Sequence, residues 1–205
     1  MTGYPLELDL NGRTALVVGL GAVGLRKASG LRAAGARVVG VDPAAVPARL
    51  PPEIEVLAEP YEAAHLRGVS LAFAAATPEV NRLVVLDARA AGVWVNSASM
   101  PESGDFLVPA LWRDGPLTLS VSTSGASPAL AALLRDRAAA ALGPAAAGLA
   151  TLLAELRPLA MARVADPSAR RKLLADWADP LMLDLWDAEG PEAVRRRLLE
   201  MFEGA

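Results

Sequence analysis

Three glycines and one aspartate are the first residues in this chain whose spacing could do chemistry. The stretch Val18-Gly-Leu-Gly-Ala-Val-Gly-Leu-Arg-Lys27 contains G-x-G-x-x-G, directly after an apolar run, Thr14–Val18. In such a loop Gly19 permits a tight turn, Gly21 lets backbone approach a pyrophosphate, and Gly24 lets helix and strand pack closely. The helix that follows offers unpaired N–H groups and a positive dipole end to phosphates. Asp42 closes the next apolar run, Arg37–Val41, about 20 residues on, where an acid can accept from ribose hydroxyls. A carboxylate there repels a 2′-phosphate, so the expected cofactor is NAD rather than NADP. Residues 13–42 therefore predict a Rossmann-type βαβ unit. Its cofactor-binding set is Gly19, Gly21, Ala22, Val23, Gly24, Asp42, Pro43, Ala44 and Thr77.

Other NAD chemistries lack their residues. Neither Tyr4 nor Tyr61 is followed by the lysine of a Tyr-x-x-x-Lys pair. The chain has no cysteine and one histidine, His65, which excludes disulfides, zinc–thiolate sites and multi-histidine metal sites. No metal site is expected. His65 also sits too early to be the acid/base of a lactate-type dehydrogenase, and it receives no role. Chemistry must rest on carboxylates, hydroxyls or substrate geometry.

The elements that must position these residues can be read from apolar spacing. Residues 71–76 and 93–96 read as strands, and 54–56 as a short one. Residues 25–34 and 80–91 read as helices, stopped by Gly35 and Gly92. Strands alternating with helices imply a parallel sheet with helices on its faces. Beyond Pro109 the pattern changes. Residues 117–122 alternate like a half-exposed strand. Ser127-Pro128 opens a helix over 129–142, with serine as cap and proline at the first position. From Leu149 the chain reads as helical, with breaks near Asp166-Pro167, Asp179-Pro180 and Gly190-Pro191. The expected division is 1–114, a nucleotide-binding domain; 115–148, a strand–helix segment; and 149–205, an all-helical domain.

Bulk composition agrees with a folded α/β protein. With 53% hydrophobic and 21% charged residues, the chain can bury enough surface to offset its ordering entropy. A net charge of −3 carries no nucleic-acid or membrane-surface signal. No apolar run reaches membrane-spanning length without a charge or proline, and residues 1–11 lack the basic residues of a targeting peptide. A cytoplasmic protein is expected, with no nucleic-acid or membrane partner.

The motifs together resemble the precorrin-2 dehydrogenase domain of siroheme synthases. The residues that carry the resemblance are Pro5-Leu-Glu-Leu-Asp-Leu10, Arg26-Lys27 after the glycine loop, and Val41-Asp-Pro43. Further along they are Ala75-Ala-Thr77 with Asn81, Val95-Asn96, and Phe106-Leu-Val-Pro109. Most specific is Ser122-Thr-Ser-Gly-Ala-Ser-Pro-Ala-Leu-Ala131, similar to the family's Ser-Thr-Gly-Gly-x-Ser-Pro-x-Leu-Ala. The resemblance implies NAD-dependent oxidation of precorrin-2 to sirohydrochlorin, with iron insertion in some members. It also implies a homodimer, built through the strand–helix segment.

One position departs from the family. Members usually carry aspartate three residues after the asparagine of Val-Asn, and here that residue is Ser99. An unactivated hydroxyl is no proton acceptor near neutral pH. Asp105, before Phe106, is a candidate replacement base, or else an ordinary loop acid like Glu102. Ser99 and Asp105 are thus the catalytic candidates. Asn96, Ser124, Gly125 and Ser127 are the substrate-binding candidates, the last three at a helix start suited to the carboxylates of a tetrapyrrole. Metal insertion must remove pyrrole protons, so it is expected to be weak or absent. A module that binds NAD(H) or tetrapyrrole without turnover is the alternative.

Overall fold

A computed structural model describes residues 3–203. Five strands, β1 (Thr14–Val18), β2 (Arg37–Val41), β3 (Glu55–Leu57), β4 (Leu71–Ala74) and β5 (Trp94–Ser97), form one parallel sheet. Its order is β3-β2-β1-β4-β5. β1 lies in the middle because it is apolar on both faces; Ala15 to Val18 are all buried. The chain winds outward through β2 and β3, then crosses to β4 and β5 on the other side of β1. The strand order therefore reverses between β1 and β4, and the crevice beyond their carboxyl ends is where ligands bind in open α/β sheets.

Two helices cover the faces. α1 (Ala22–Ala33) seats Ala28 and Leu31 on Val17 and Phe73, whereas α2 (Pro78–Ala90) seats Val84, Val85 and Ala88 on Val18 and Val95. Each buried leucine or valine among them contributes roughly 1.5–3 kcal/mol, and each alanine less. α1 starts three residues before the apolar spacing suggests. Ala22, Val23 and Gly24 form its first turn with no side-chain cap. The expected strand over 71–76 stops at Ala74, since Ala75 and Ala76 turn to meet the glycine loop.

The chain divides into two compact units, one ending at Val108 and one beginning at Pro109. The second opens on an antiparallel hairpin, β6 (Ala110–Asp114) and β7 (Leu117–Val121), turning at Gly115 with φ +52°. β6 escapes sequence reading because two of its five residues are charged. It becomes a strand by pairing with β7, Trp112 opposite Leu119. α3 (Pro128–Arg163) packs on both strands of the hairpin. Gly143, at φ +63° and ψ 179°, breaks its helical path, and the expected boundary near residue 148 falls within α3.

The remaining helices are α4 (Pro167–Asp176), α5 (Leu181–Glu189) and α6 (Pro191–Glu203). They join the second half of α3 around Trp177, which is 1% exposed and donates its indole N–H to the Leu198 carbonyl at 3.1 Å. Trp177 and Trp186 both belong to this core, and Gly148 is needed because a Cβ there would lie 2.2 Å from the Trp186 ring. Among the described residues, α3 alone is long and apolar enough to cross a membrane by length and composition. Its buried residues Leu149, Leu152, Leu156 and Ala160 instead face the other helices of the unit.

Candidate functional site

The glycine loop closes on itself through two contacts that no side chain could survive. Gly19 sits at φ +91°, and a Cβ on it would lie 2.6 Å from the Ala75 carbonyl. A Cβ on Gly24 would lie 1.8 Å from the Gly19 oxygen and 3.4 Å from Val17 Cγ1. These are the tight turn and the close helix–strand packing expected from sequence. Gly21 differs, because a Cβ on it meets no protein atom within 4 Å. Nothing in the protein demands glycine there; a molecule lying against the loop would. The N–H groups of Ala22 and Val23, in the first turn of α1, have no partner within the helix. Val23 is exposed.

Asp42 ties the loop to the end of β2. One carboxylate oxygen accepts from Leu20 N at 2.8 Å and the other from Ala44 N at 2.8 Å. The second bond shapes the turn carrying Pro43 and Ala44. Gly19 N donates to the Val41 carbonyl at 2.8 Å, closing the same corner. Each carboxylate oxygen retains an acceptor site. Thr77 caps α2, its hydroxyl accepting from Val80 N at 3.5 Å. The cofactor-binding residues expected from sequence therefore share one end of the sheet, at the carboxyl ends of β1, β2 and β4.

The loop after β5 is held by three clasps. Asn96, 6% exposed, donates its amide to the Phe106 carbonyl at 2.8 Å. Phe106 stacks edge-on against Phe73, with centroids 5.4 Å apart. Asp105 accepts from Val95 N at 2.9 Å and lies 3.6 Å from the Arg89 guanidinium. Its carboxylate thus fastens the loop to β5 and α2. Ser99 is exposed, and its Oγ accepts from the Asn81 amide at 2.9 Å. Glu102 is exposed.

Lys27 lies over the Phe73 ring at 5.9 Å, half-buried. Burial, aided by neighbouring Arg26, pushes its ammonium below the usual lysine range. His65 is a capping residue: its Nδ1 accepts from Glu62 N at 3.0 Å and its Nε2 meets Glu59 at 2.9 Å.

Ser124, Gly125 and Ser127 belong to the second unit. Ser127 caps α3, accepting from Leu130 N at 3.2 Å, and Thr123 Oγ1 both accepts from Ser127 N and donates to its carbonyl. Ser124 has φ +52°, the one positive φ outside glycine among the described residues. Gly125 follows at φ +87°. Sequence reasoning left three contributors unassigned: Asn81, Arg89 and Leu20. Asn81 was legible as a polar residue four positions into an apolar helix; the backbone N–H of Leu20 leaves no trace in sequence.

Comparison with known proteins gives a consistent result. Residues 6–110 match the family described as putative NAD(P)-binding, and residues 114–139 match the family described as sirohaem biosynthesis protein central. Over 98% of its length the chain is 37% identical to the siroheme synthase of Chromobacterium violaceum, of which it covers 43%. Over 99% of its length it is 34% identical to the siroheme synthase of Thioalkalivibrio sulfidiphilus, covering 42%. The chain thus spans less than half the length of these curated relatives. Among solved structures, the precorrin-2 dehydrogenase SirC superposes with a TM-score of 0.78 at 25% identity, over 99% of this chain and 100% of that one.

Proposed function

The chain belongs to the putative NAD(P)-binding family, in the form found at the N-terminus of siroheme synthases, and from that membership we propose that it oxidises precorrin-2 to sirohydrochlorin with NAD. The observation that carries this reading is the shape of the glycine loop. It is closed at Gly19 and Gly24 and open at Gly21, with Asp42 beside it. That cradle fits a dinucleotide, and Asp42 favours one without a 2′-phosphate.

When bound, NAD supplies the hydride acceptor: a C–H bond of precorrin-2 breaks, two electrons leave with the hydride, and one proton is released. The chain's own part is to bind and orient. The N–H groups of Ala22 and Val23 would hold the pyrophosphate, Asp42 would accept from the ribose, and Thr77 would border the cofactor at the end of β4. Asn96 and Ser99 are our candidates for contacting substrate within the first unit, and Ser124, Gly125 and Ser127 are candidates within the second, each unit taken by itself. The released proton requires only an acceptor, and solvent serves where no carboxylate is placed. Metal insertion must strip pyrrole protons, so we expect it to be weak or absent with serine at position 99.

A second reading, a binding module without turnover, draws support from Asp105. Both its carboxylate oxygens already serve Val95 and Arg89, which leaves it a poor candidate for a base. Incubation with precorrin-2 and NAD, followed by NADH absorbance, separates the two. Stoichiometric NADH supports the enzyme; NAD binding without NADH overturns it.

We further propose a homodimer. Leu130, Leu133, Leu134 and Leu142 of α3 and Leu111 of β6 are exposed, and α3 packs on the β6–β7 hairpin, so these apolar side chains of the second unit suit a partner surface. Light scattering on the purified chain tests this; a monomeric mass at micromolar concentration would refute it. A cytoplasmic location accords with use of the cellular NAD pool, and cell fractionation checks it.

A further inference from the structure

Asn81 is a completely buried polar side chain, 0% exposed, that the roles above leave unused. Its Oδ1 accepts from Ala76 N at 2.9 Å. Its Nδ2 donates to the Ala76 carbonyl at 3.2 Å and to Ser99 Oγ at 2.9 Å. The first two bonds lock Asn81 to the segment after β4. That segment is the one whose Ala75 carbonyl packs against Gly19. The third bond reaches 18 residues along the chain, into the loop after β5. One amide thus joins the back of the glycine loop to an exposed hydroxyl in the loop after β5.

The direction of the third bond matters. Nδ2 can only donate, so Ser99 Oγ is its acceptor. The hydroxyl proton of Ser99 is then free to donate elsewhere, and Ser99 is exposed. We infer that Asn81 is a positioning residue: it holds Ser99 as a hydrogen-bond donor toward an acceptor atom of the tetrapyrrole, at a fixed place relative to the cofactor loop. This rests on the proposed substrate class, not on turnover.

The test uses sirohydrochlorin as the probe, bound to the full chain in the presence of NAD and titrated by its absorbance. The variants are Ser99→Ala, Asn81→Asp and the double variant. Asn81→Asp keeps the shape and the Ala76 N–H bond but loses the donor. Each single variant is expected to bind sirohydrochlorin about ten-fold more weakly, and Ser99→Ala, which leaves the Ala76 bonds of Asn81 intact, is expected to keep NAD affinity unchanged. The double variant is expected to be about ten-fold weaker as well, not a hundred-fold, because one contact has been broken twice. A hundred-fold loss in the double variant, or wild-type binding by Ser99→Ala, overturns the proposal. Should Asn81→Asp not fold, Ser99→Thr restores the hydroxyl and is expected to recover the binding that Ser99→Ala loses; failure to recover it overturns the proposal. If the wild type binds sirohydrochlorin but forms no NADH, the proposed oxidation fails while this inference stands.

Discussion

The carboxylate of Asp42 and the backbone N–H of Leu20 are joined by a 2.8 Å hydrogen bond, so the acid expected to face the ribose also holds the glycine loop. Recognition and loop shape are coupled through one side chain. Asp42→Asn replaces one acceptor oxygen by a donor that must confront Leu20 N or Ala44 N. NAD is expected to bind about ten-fold more weakly, equivalent to roughly 1.4 kcal/mol. Preference over NADP should narrow, because the charge that repels a 2′-phosphate is gone. Calorimetric titration of both cofactors checks this. Unchanged discrimination would remove Asp42 from the ribose site.

Gly24→Ala and Gly21→Ala separate folding from binding. The first forces a methyl to within 1.8 Å of the Gly19 oxygen and should cost about 3 kcal/mol of stability. The second meets no protein atom, so its melting temperature should match wild type while NAD affinity falls. Thermal melts and cofactor titration on the same preparations distinguish them. Equal destabilisation by both would contradict the open cradle at Gly21.

Ser124 holds a left-handed backbone at φ +52°, which costs an L-residue about 1 kcal/mol relative to glycine. Ser124→Gly is therefore expected to stabilise the chain by up to about that amount. Urea denaturation measures it. A loss of stability would mean that the entropy glycine adds to the unfolded chain, together with any contact of the Ser124 side chain, outweighs the relieved strain.

Tyr61 donates its hydroxyl to Asp87 at 3.2 Å, and burial first, then the Asp87 charge, pushes its ionisation well above the ordinary tyrosine value. The folded chain keeps a proton that the unfolded chain loses near pH 10, so this stabilisation is full below about pH 10 and declines as pH rises beyond it. Tyr61→Phe should flatten that alkaline decline and cost about 1 kcal/mol at neutral pH. Lys27, shifted downward, acts with the opposite slope, so the comparison must be with wild type at each pH. Parallel alkaline curves for the two proteins would sink this assignment.

Most of the sheet is legible from residue order because its strands are short apolar runs bounded by glycine or proline. Arg37–Val41 begins and ends where the apolar run does. The Ser127, Asp166 and Gly190 helix boundaries follow from local chemistry alone, since each cap bonds within four residues of itself. What resists reading is pairing at a distance. β6 exists through β7, Asp105 finds Val95 across a turn, and Asn81 meets Ser99 only after α2 and β5 have folded between them. Ser99 and Asn81 could each be singled out from their motifs, but their pairing could not, because nothing local to either residue points to the other.

The order β3-β2-β1-β4-β5 also sets a timetable for synthesis. β1 emerges first yet occupies the centre, with one side covered by β2 and the other waiting until β4 appears some fifty residues later, by the register of Ala15 with Leu71. All five strands, both covering helices and the clasps at Asp105 and Phe106 lie before Pro109. The ribosome therefore releases every partner in the sheet before it has made the helices around Trp177. Domains fold as units from the N-terminus during translation. A stalled nascent chain ending in the early part of α3 would thus already carry the complete set of residues proposed to cradle NAD.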